Sequence, residues 1–218
     1  MKFDFDEIFA NLAKTQQMDG DKDAPQNFYP TVHTKDQEAV NIIQPNLLKG
    51  PWIAGGACLR WYQNQPVEKN DIDVFCASAL QAQAVVERIK SYGRFHVKAE
   101  TENAVTIDYM AKGQEWNDGW TIQVITKRYY SSLREVVDNF DITVCQIGTT
   151  GDEWLLGDYT AKDVRERNLR MVLPLHQDAV KRLTKYWVYG YRPVPGLLEA
   201  IQNNPTGRWS FNPSEDYS

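Results

Sequence analysis

The chain has 218 residues, 42% of them hydrophobic, 24% charged and 12% aromatic, which is enough apolar material for a substantial core and excludes wholesale disorder. Thirteen Gly and ten Pro are ordinary usage, so collagen-like and low-complexity architectures are excluded as well. A formal net charge of −5 argues against a uniformly basic nucleic-acid binder, although Lys162 to Arg192 holds eight Lys/Arg against three Asp/Glu, leaving −10 elsewhere.

No apolar run approaches the roughly 18 residues that a membrane span requires. The opening MKFDFDEIF carries Asp4, Asp6 and Glu7 where a secretory leader needs a basic end, so a soluble, cytoplasmic protein with no membrane partner is expected. Cys58, Cys76 and Cys145 are far apart and lack CxxC spacing, which predicts buried free thiols.

In chain order, Phe5, Ile8, Phe9 and Leu12 predict a helix over 3–17, followed by a polar connector over 18–30. A second helix is predicted over 34–48, with Thr34 as its cap and Val40, Ile43 and Leu47 on one face. PWIAGGACLRWYQ passes from a few apolar residues through Gly55-Gly56 into a helical pattern. NDIDVFCA (70–77) alternates as a strand does, and a helix over 79–91 follows. Strands are predicted over 94–100, 103–110 and 120–126, the last two joined by the polar stretch AKGQEWNDG. A short helix over 131–138 leads to a predicted strand FDITVCQIG (140–148). A basic stretch and a helix from Pro174 to Tyr189 complete the ordered part, and no internal repeat is found. The expected fold class is α/β (α+β), a mixed β-sheet flanked by helices with a small helical C-terminal part. The expected divisions are 1–35, a helix and connector; 36–150, the core; and 151–218, the C-terminal extension.

The chemistry concentrates in IAGGACLRWYQNQPVEKNDIDVF (53–75). Adjacent glycines between strand and helix permit a tight turn and close approach of backbone to an anion. Arg60 follows within about one helical turn, placed either to support a phosphate or to pair with an acid. Asp71 and Asp73 stand at i and i+2 of a strand and so project from one face, roughly 7 Å apart along the backbone. Two such carboxylates repel unless a cation lies between them, and all-oxygen ligands suit Mg²⁺ or Mn²⁺.

With these residues in place, the sequence resembles the polymerase β-type nucleotidyltransferase superfamily, and within it the head domain of CCA-adding enzymes and poly(A) polymerases. GGACLR and DIDVF are similar to that family's GGxxR and DxD, FDITVCQIG to its DFTINA segment, and, more loosely, GDYTAKDVRERNLRMV (157–172) and KRLTKYWVYGY (181–191) to the stretches that follow. The resemblance implies a metal-dependent transfer of NMP from an NTP to an acceptor hydroxyl with release of pyrophosphate. It implies Asp71 and Asp73 as catalytic metal ligands, and Gly55, Gly56, Arg60, Arg182 and Lys185 as nucleotide contacts. Asp141 would serve as a further catalytic acid beside the sugar. Where the superfamily carries a third carboxylate this sequence has the neutral Gln123, for which Asp108 and Asp141 are the candidate substitutes. The acceptor is open between an RNA or tRNA end, a protein, a free nucleotide and a small metabolite. Gln123 also motivates the alternative of a catalytically inactive nucleotide-binding or regulatory module.

Arg165, Arg167 and Arg170 are expected either at phosphate or in ion pairs with Asp163 or Glu166, and Tyr186 or Tyr189 is a candidate to stack on a base. His33, His96 and His176 have no spacing that implies catalysis.

Overall fold

Strand-period segments separated by helical ones build a mixed sheet with helices against it. The structure is a computed structural model that describes residues 30–67, 71–110, 119–172 and 179–203. The predicted helix over 3–17, the connector up to residue 29, most of AKGQEWNDG, Pro174, His176 and the tail beyond 203 lie outside these residues.

A 3₁₀ turn, Thr34–Asp36, leads into helix α1, Gln37–Ile43. The cap is His33 rather than Thr34, its Nδ1 accepting from the Lys35 N–H at 3.3 Å. The predicted helix over 34–48 stops early because Gln44 turns left-handed (φ 53°) and Pro45 follows, which has no N–H to continue the ladder. Then come β1 (Trp52–Ala54), α2 (Gly56–Tyr62), β2 (Asp71–Phe75), α3 (Ala79–Tyr92), β3 (Arg94–Glu100), β4 (Ala104–Met110) and β5 (Trp120–Ile125). They are followed by α4 (Leu133–Asp138), β6 (Ile147–Thr149) and β7 (Trp154–Leu156). The seven strands form one sheet in the order β3-β4-β5-β2-β1-β6-β7, in which the β2–β5 pair is parallel and the others antiparallel.

The two faces of this sheet differ. Ile72 and Val74 of β2, Ile107 of β4, and Ile122 and Val124 of β5 are fully buried on one face, in a core shared with Val40 and Ile43 of α1 and Val85 and Ile89 of α3. On the other face Trp52, Ala54 and Phe75 pack beneath Leu133, Val136 and Val137 of α4. Beyond that cover this face is polar: Asp71, Asp73, Thr121, Gln123, Thr106, Asp108 and His96 line it, each at least partly open to solvent. The helix-covered side is pinned by Asp36, 2% exposed, which accepts from Trp61 Nε1 (2.7 Å), Trp120 Nε1 (2.9 Å) and the Val67 N–H (2.8 Å).

Two sequence expectations change here. FDITVCQIG is not a continuous strand: Thr143–Cys145 is a 3₁₀ turn and only Ile147–Thr149 joins the sheet. The Thr160 hydroxyl donates to the carbonyls of Thr143 (2.8 Å) and Gln146 (2.9 Å), and the Thr143 N–H goes to the Arg170 carbonyl (3.0 Å), so these backbone groups are withdrawn from any ladder. The sheet also runs past residue 150, because the hairpin that follows β6 returns as β7. After it lie α5 (Thr160–Glu166), α6 (Ala179–Val188), α7 (Leu197–Gln202) and a small parallel pair, β8 (Asn168–Leu169) with β9 (Arg192–Pro193).

Candidate active site

The chain leaves β1 through Gly55, whose φ of 89° strongly favours glycine. Its N–H donates to the Ile147 carbonyl at 2.8 Å, which fixes the corner against β6. A Cβ at Gly55 would lie 2.9 Å from the Phe140 ring and 3.7 Å from Asp73 Oδ2, so the corner, the ring and the carboxylate are in near contact. At Gly56, the first residue of α2, a Cβ would meet nothing within 4 Å. The glycine pair thus has one closed position and one open one.

Asp71 and Asp73 project from the polar face, Asp71 exposed and Asp73 partly buried. Burial and the neighbouring Asp71 charge raise the Asp73 carboxyl to about 7, with Lys185 and Arg182 opposing. The Asp71 carboxyl is raised chiefly by burial, opposed by Lys98 and Lys185 and reinforced by Asp108. The basic helix α6 therefore lies close enough to act on both acids. Arg182 Nη1 donates to Asp141 Oδ1 at 2.5 Å, while Asp141 Oδ2 is buried without a hydrogen-bond partner. Phe140 packs edge-on to Phe75 (centroids 5.7 Å apart), and so Phe140-Asp141 ties the glycine corner, the end of β2 and α6 into one cluster.

Gly55, Gly56, Asp71, Asp73, Asp141, Arg182 and Lys185 accordingly converge. Arg60 lies in the last turn of α2, and its Nε donates to the Pro66 carbonyl at 2.6 Å, bracing the chain toward β2. Gln123 lies directly opposite Asp73 in the parallel pairing, its Nε2 donating to Thr106 Oγ1 at 3.3 Å. Asp108 is one strand further out, level with Asp71 across Thr121, whose hydroxyl donates to Asp108 Oδ1 at 2.8 Å.

Among the arginines, Arg170 pairs with the fully buried Asp163 (3.1 Å) and stacks on Tyr159, Arg165 pairs with Glu166 (3.4 Å), and Arg167 covers the Tyr191 ring. The ion-pair expectation thus describes Arg165 and Arg170. Tyr186, read from sequence as a base-stacking candidate, is 6% exposed with its hydroxyl 2.6 Å from Cys145 Sγ, so its ring belongs to the core. All three cysteines are buried and free. Sequence reasoning missed Lys98, which lies at a β-bulge between Val97 and Ala99 on the edge strand, within electrostatic reach of Asp71; alternation from His96 puts it on the polar face, but only the sheet order brings that edge near the acids.

This sheet, with its glycine corner and paired acids, has a polymerase β-type nucleotidyltransferase fold. Among solved structures, the Bacillus stearothermophilus CCA-adding enzyme in complex with CTP matches 79% of this chain and 44% of its own at a TM-score of 0.53 and 18% identity. The Thermotoga maritima CCA-adding enzyme complexed with tRNA matches 78% and 42% at a TM-score of 0.52 and 16% identity. The chain thus spans less than half the length of these enzymes, and the likeness is one of fold. A search of curated proteins finds no match. The sequence profile described as Gabija anti-defense 2 family protein matches residues 20–167, and the chain belongs to that family.

Proposed function

We propose that the protein is a metal-dependent nucleotidyltransferase that moves NMP from an NTP to an acceptor hydroxyl, and that it acts against Gabija defence, as the family description reads, through this chemistry. The observation that carries the reading is the convergence of Asp71 and Asp73 on the Gly55 corner, with Arg182 and Lys185 acting on the same acids from α6.

The donor set fits a hard divalent cation. Asp73 is an acid raised to about 7 by burial beside a second acid, and a cation there would relieve both effects. Among the described residues no third His, Cys, Asp or Glu closes a metal cluster, so Asp71 and Asp73 would hold Mg²⁺ or Mn²⁺ and leave positions for phosphate oxygens and water. Such ions supply charge stabilisation for the entering and leaving oxygens. Gly55 and Gly56 bring bare backbone close to the triphosphate, Gly56 being the open position. Lys185 and the remaining guanidinium donors of Arg182 face negative charge. Asp141 Oδ2, buried and unpartnered, accepts from a donor that the nucleotide brings. Arg60 holds the loop that delivers β2.

One observation favours a second reading, a non-catalytic nucleotide-binding module: neutral Gln123 stands opposite Asp73 and is tied to Thr106. Incubating the pure protein with each α-³²P-labelled NTP, Mn²⁺ and nuclease-treated or intact cell extract separates the two. Metal-dependent covalent label that is lost in Asp73→Asn supports the enzyme. Tight NTP binding with no product supports the module.

A further inference from the structure

The two flanks of the acid pair differ in chemistry. On one side lie the glycine corner, Arg182 and Lys185, a surrounding made for polyphosphate. On the other the polar face continues over β5, β4 and β3 with Thr121, Gln123, Thr106, Asp108 and His96. Among the described residues, cations there are confined to the edge strand, where Lys98 sits at the bulge and Arg94 at the far end beside Met110. From β2 to β3 the face is about 14 Å wide, three strand spacings. It is an open platform of hydroxyl, amide and carboxylate groups, whereas small-molecule sites are concave.

We propose that this platform is the acceptor subsite of the reaction proposed above, with Asp108 as its carboxylate, and that it takes a side-chain hydroxyl of a polypeptide. The inference rests on the nucleotidyltransferase reading and extends it to the acceptor. Asp108 and Asp71 are level across Thr121, about 10 Å apart at Cα by two strand spacings, so an acceptor oxygen between them lies within reach of both side chains. The Thr121 hydroxyl occupies Asp108 Oδ1 and leaves Oδ2 for the incoming group. In the transfer the acceptor O–H proton passes to the Asp108 carboxylate and the oxygen lone pair forms the new bond to the α-phosphorus. The bond from that phosphorus to the α,β-bridging oxygen breaks, and its electron pair leaves with pyrophosphate. A nucleic-acid acceptor needs a row of cations for its phosphates, and the platform between Asp73 and the edge strand has none among the described residues. Peptide groups and neutral side chains match its hydroxyls and amides.

The test gives the full-length protein Mn²⁺ and each α-³²P-NTP with one of two probes: a degenerate peptide library containing Ser, Thr and Tyr, or protein-free total RNA. Label is expected in the peptides at a rate at least tenfold above that in RNA. Asp108→Asn should lower peptide labelling about a hundredfold, the scale of a lost general base, while NTP affinity by calorimetry stays within twofold. Asp108→Glu, which keeps the carboxylate, should recover part of the rate. Label entering RNA instead, or unchanged peptide labelling in Asp108→Asn, overturns the inference and leaves the nucleotidyltransferase reading standing. Bound NTP with neither probe labelled also overturns it, whereas absence of NTP binding removes that reading as well.

Discussion

Replacing Asp73 with Asn separates the cost of its charge from its use. In the folded protein the carboxyl is raised from 3.8 to about 7, so between those values the native state binds more protons than the unfolded chain. Ionised Asp73 therefore destabilises the metal-free protein, not at all below about pH 4, increasingly through the window, and fully above pH 7. At about 1.36 kcal/mol per pKa unit the upper bound is roughly 4 kcal/mol. If half persists after local relaxation, a chain of this size gains about 4–8 °C on neutralisation. Asp73→Asn should thus melt several degrees above the wild type at pH 8 in EDTA and at the same temperature near pH 4. Millimolar Mn²⁺ should reverse the order at pH 8 by stabilising only the protein that binds it, and nucleotide transfer should be abolished. Differential scanning calorimetry at both pH values, with and without Mn²⁺, reads all of this. A variant no more stable than wild type at pH 8 without metal would refute the charge-penalty argument.

The glycine pair gives opposite expectations. Gly55→Ala drives a Cβ to 2.9 Å from the Phe140 ring at a φ of 89° and should cost about 1–3 kcal/mol by denaturant titration. Gly56→Ala meets open space and should leave stability unchanged or slightly improved, so a fall in NTP affinity there, measured by calorimetry, reports a ligand contact. Asp36→Ala strands three buried N–H donors, two of them indole, and should cost at least about 3 kcal/mol with a shifted tryptophan emission. Arg182→Ala removes a charge that lowers the Asp73 pKa, so that pKa should rise above 7. Apparent Mn²⁺ affinity should then fall severalfold at pH 6.5 and recover by pH 8.5, and stability should fall by about 1–3 kcal/mol because the largely buried Asp141 carboxylate loses its Arg182 partner.

Local pattern determined much of this protein. Alternation marks Asp71–Phe75, Ala104–Met110 and Trp120–Ile125 as strands and puts Asp71 and Asp73 on one face, since side-chain direction has period two whatever the strand pairs with. The Gly55-Gly56 corner is legible too, because a turn between strand and helix is a short-range demand on the backbone. Tertiary structure decided what depends on distant partners. The resemblance already put Gln123 on the strand beside the acid pair, but setting it directly opposite Asp73, and Asp108 level with Asp71, takes the register, which is fixed by pairing across the sheet. Thr160 and Arg170 break the apparent strand at 140–146 from positions well downstream. The same dependence put Arg182 on Asp141, Arg170 on Asp163 and Tyr186 against Cys145. A charged or aromatic side chain on a helix has several possible neighbours, and packing selects one by burying it.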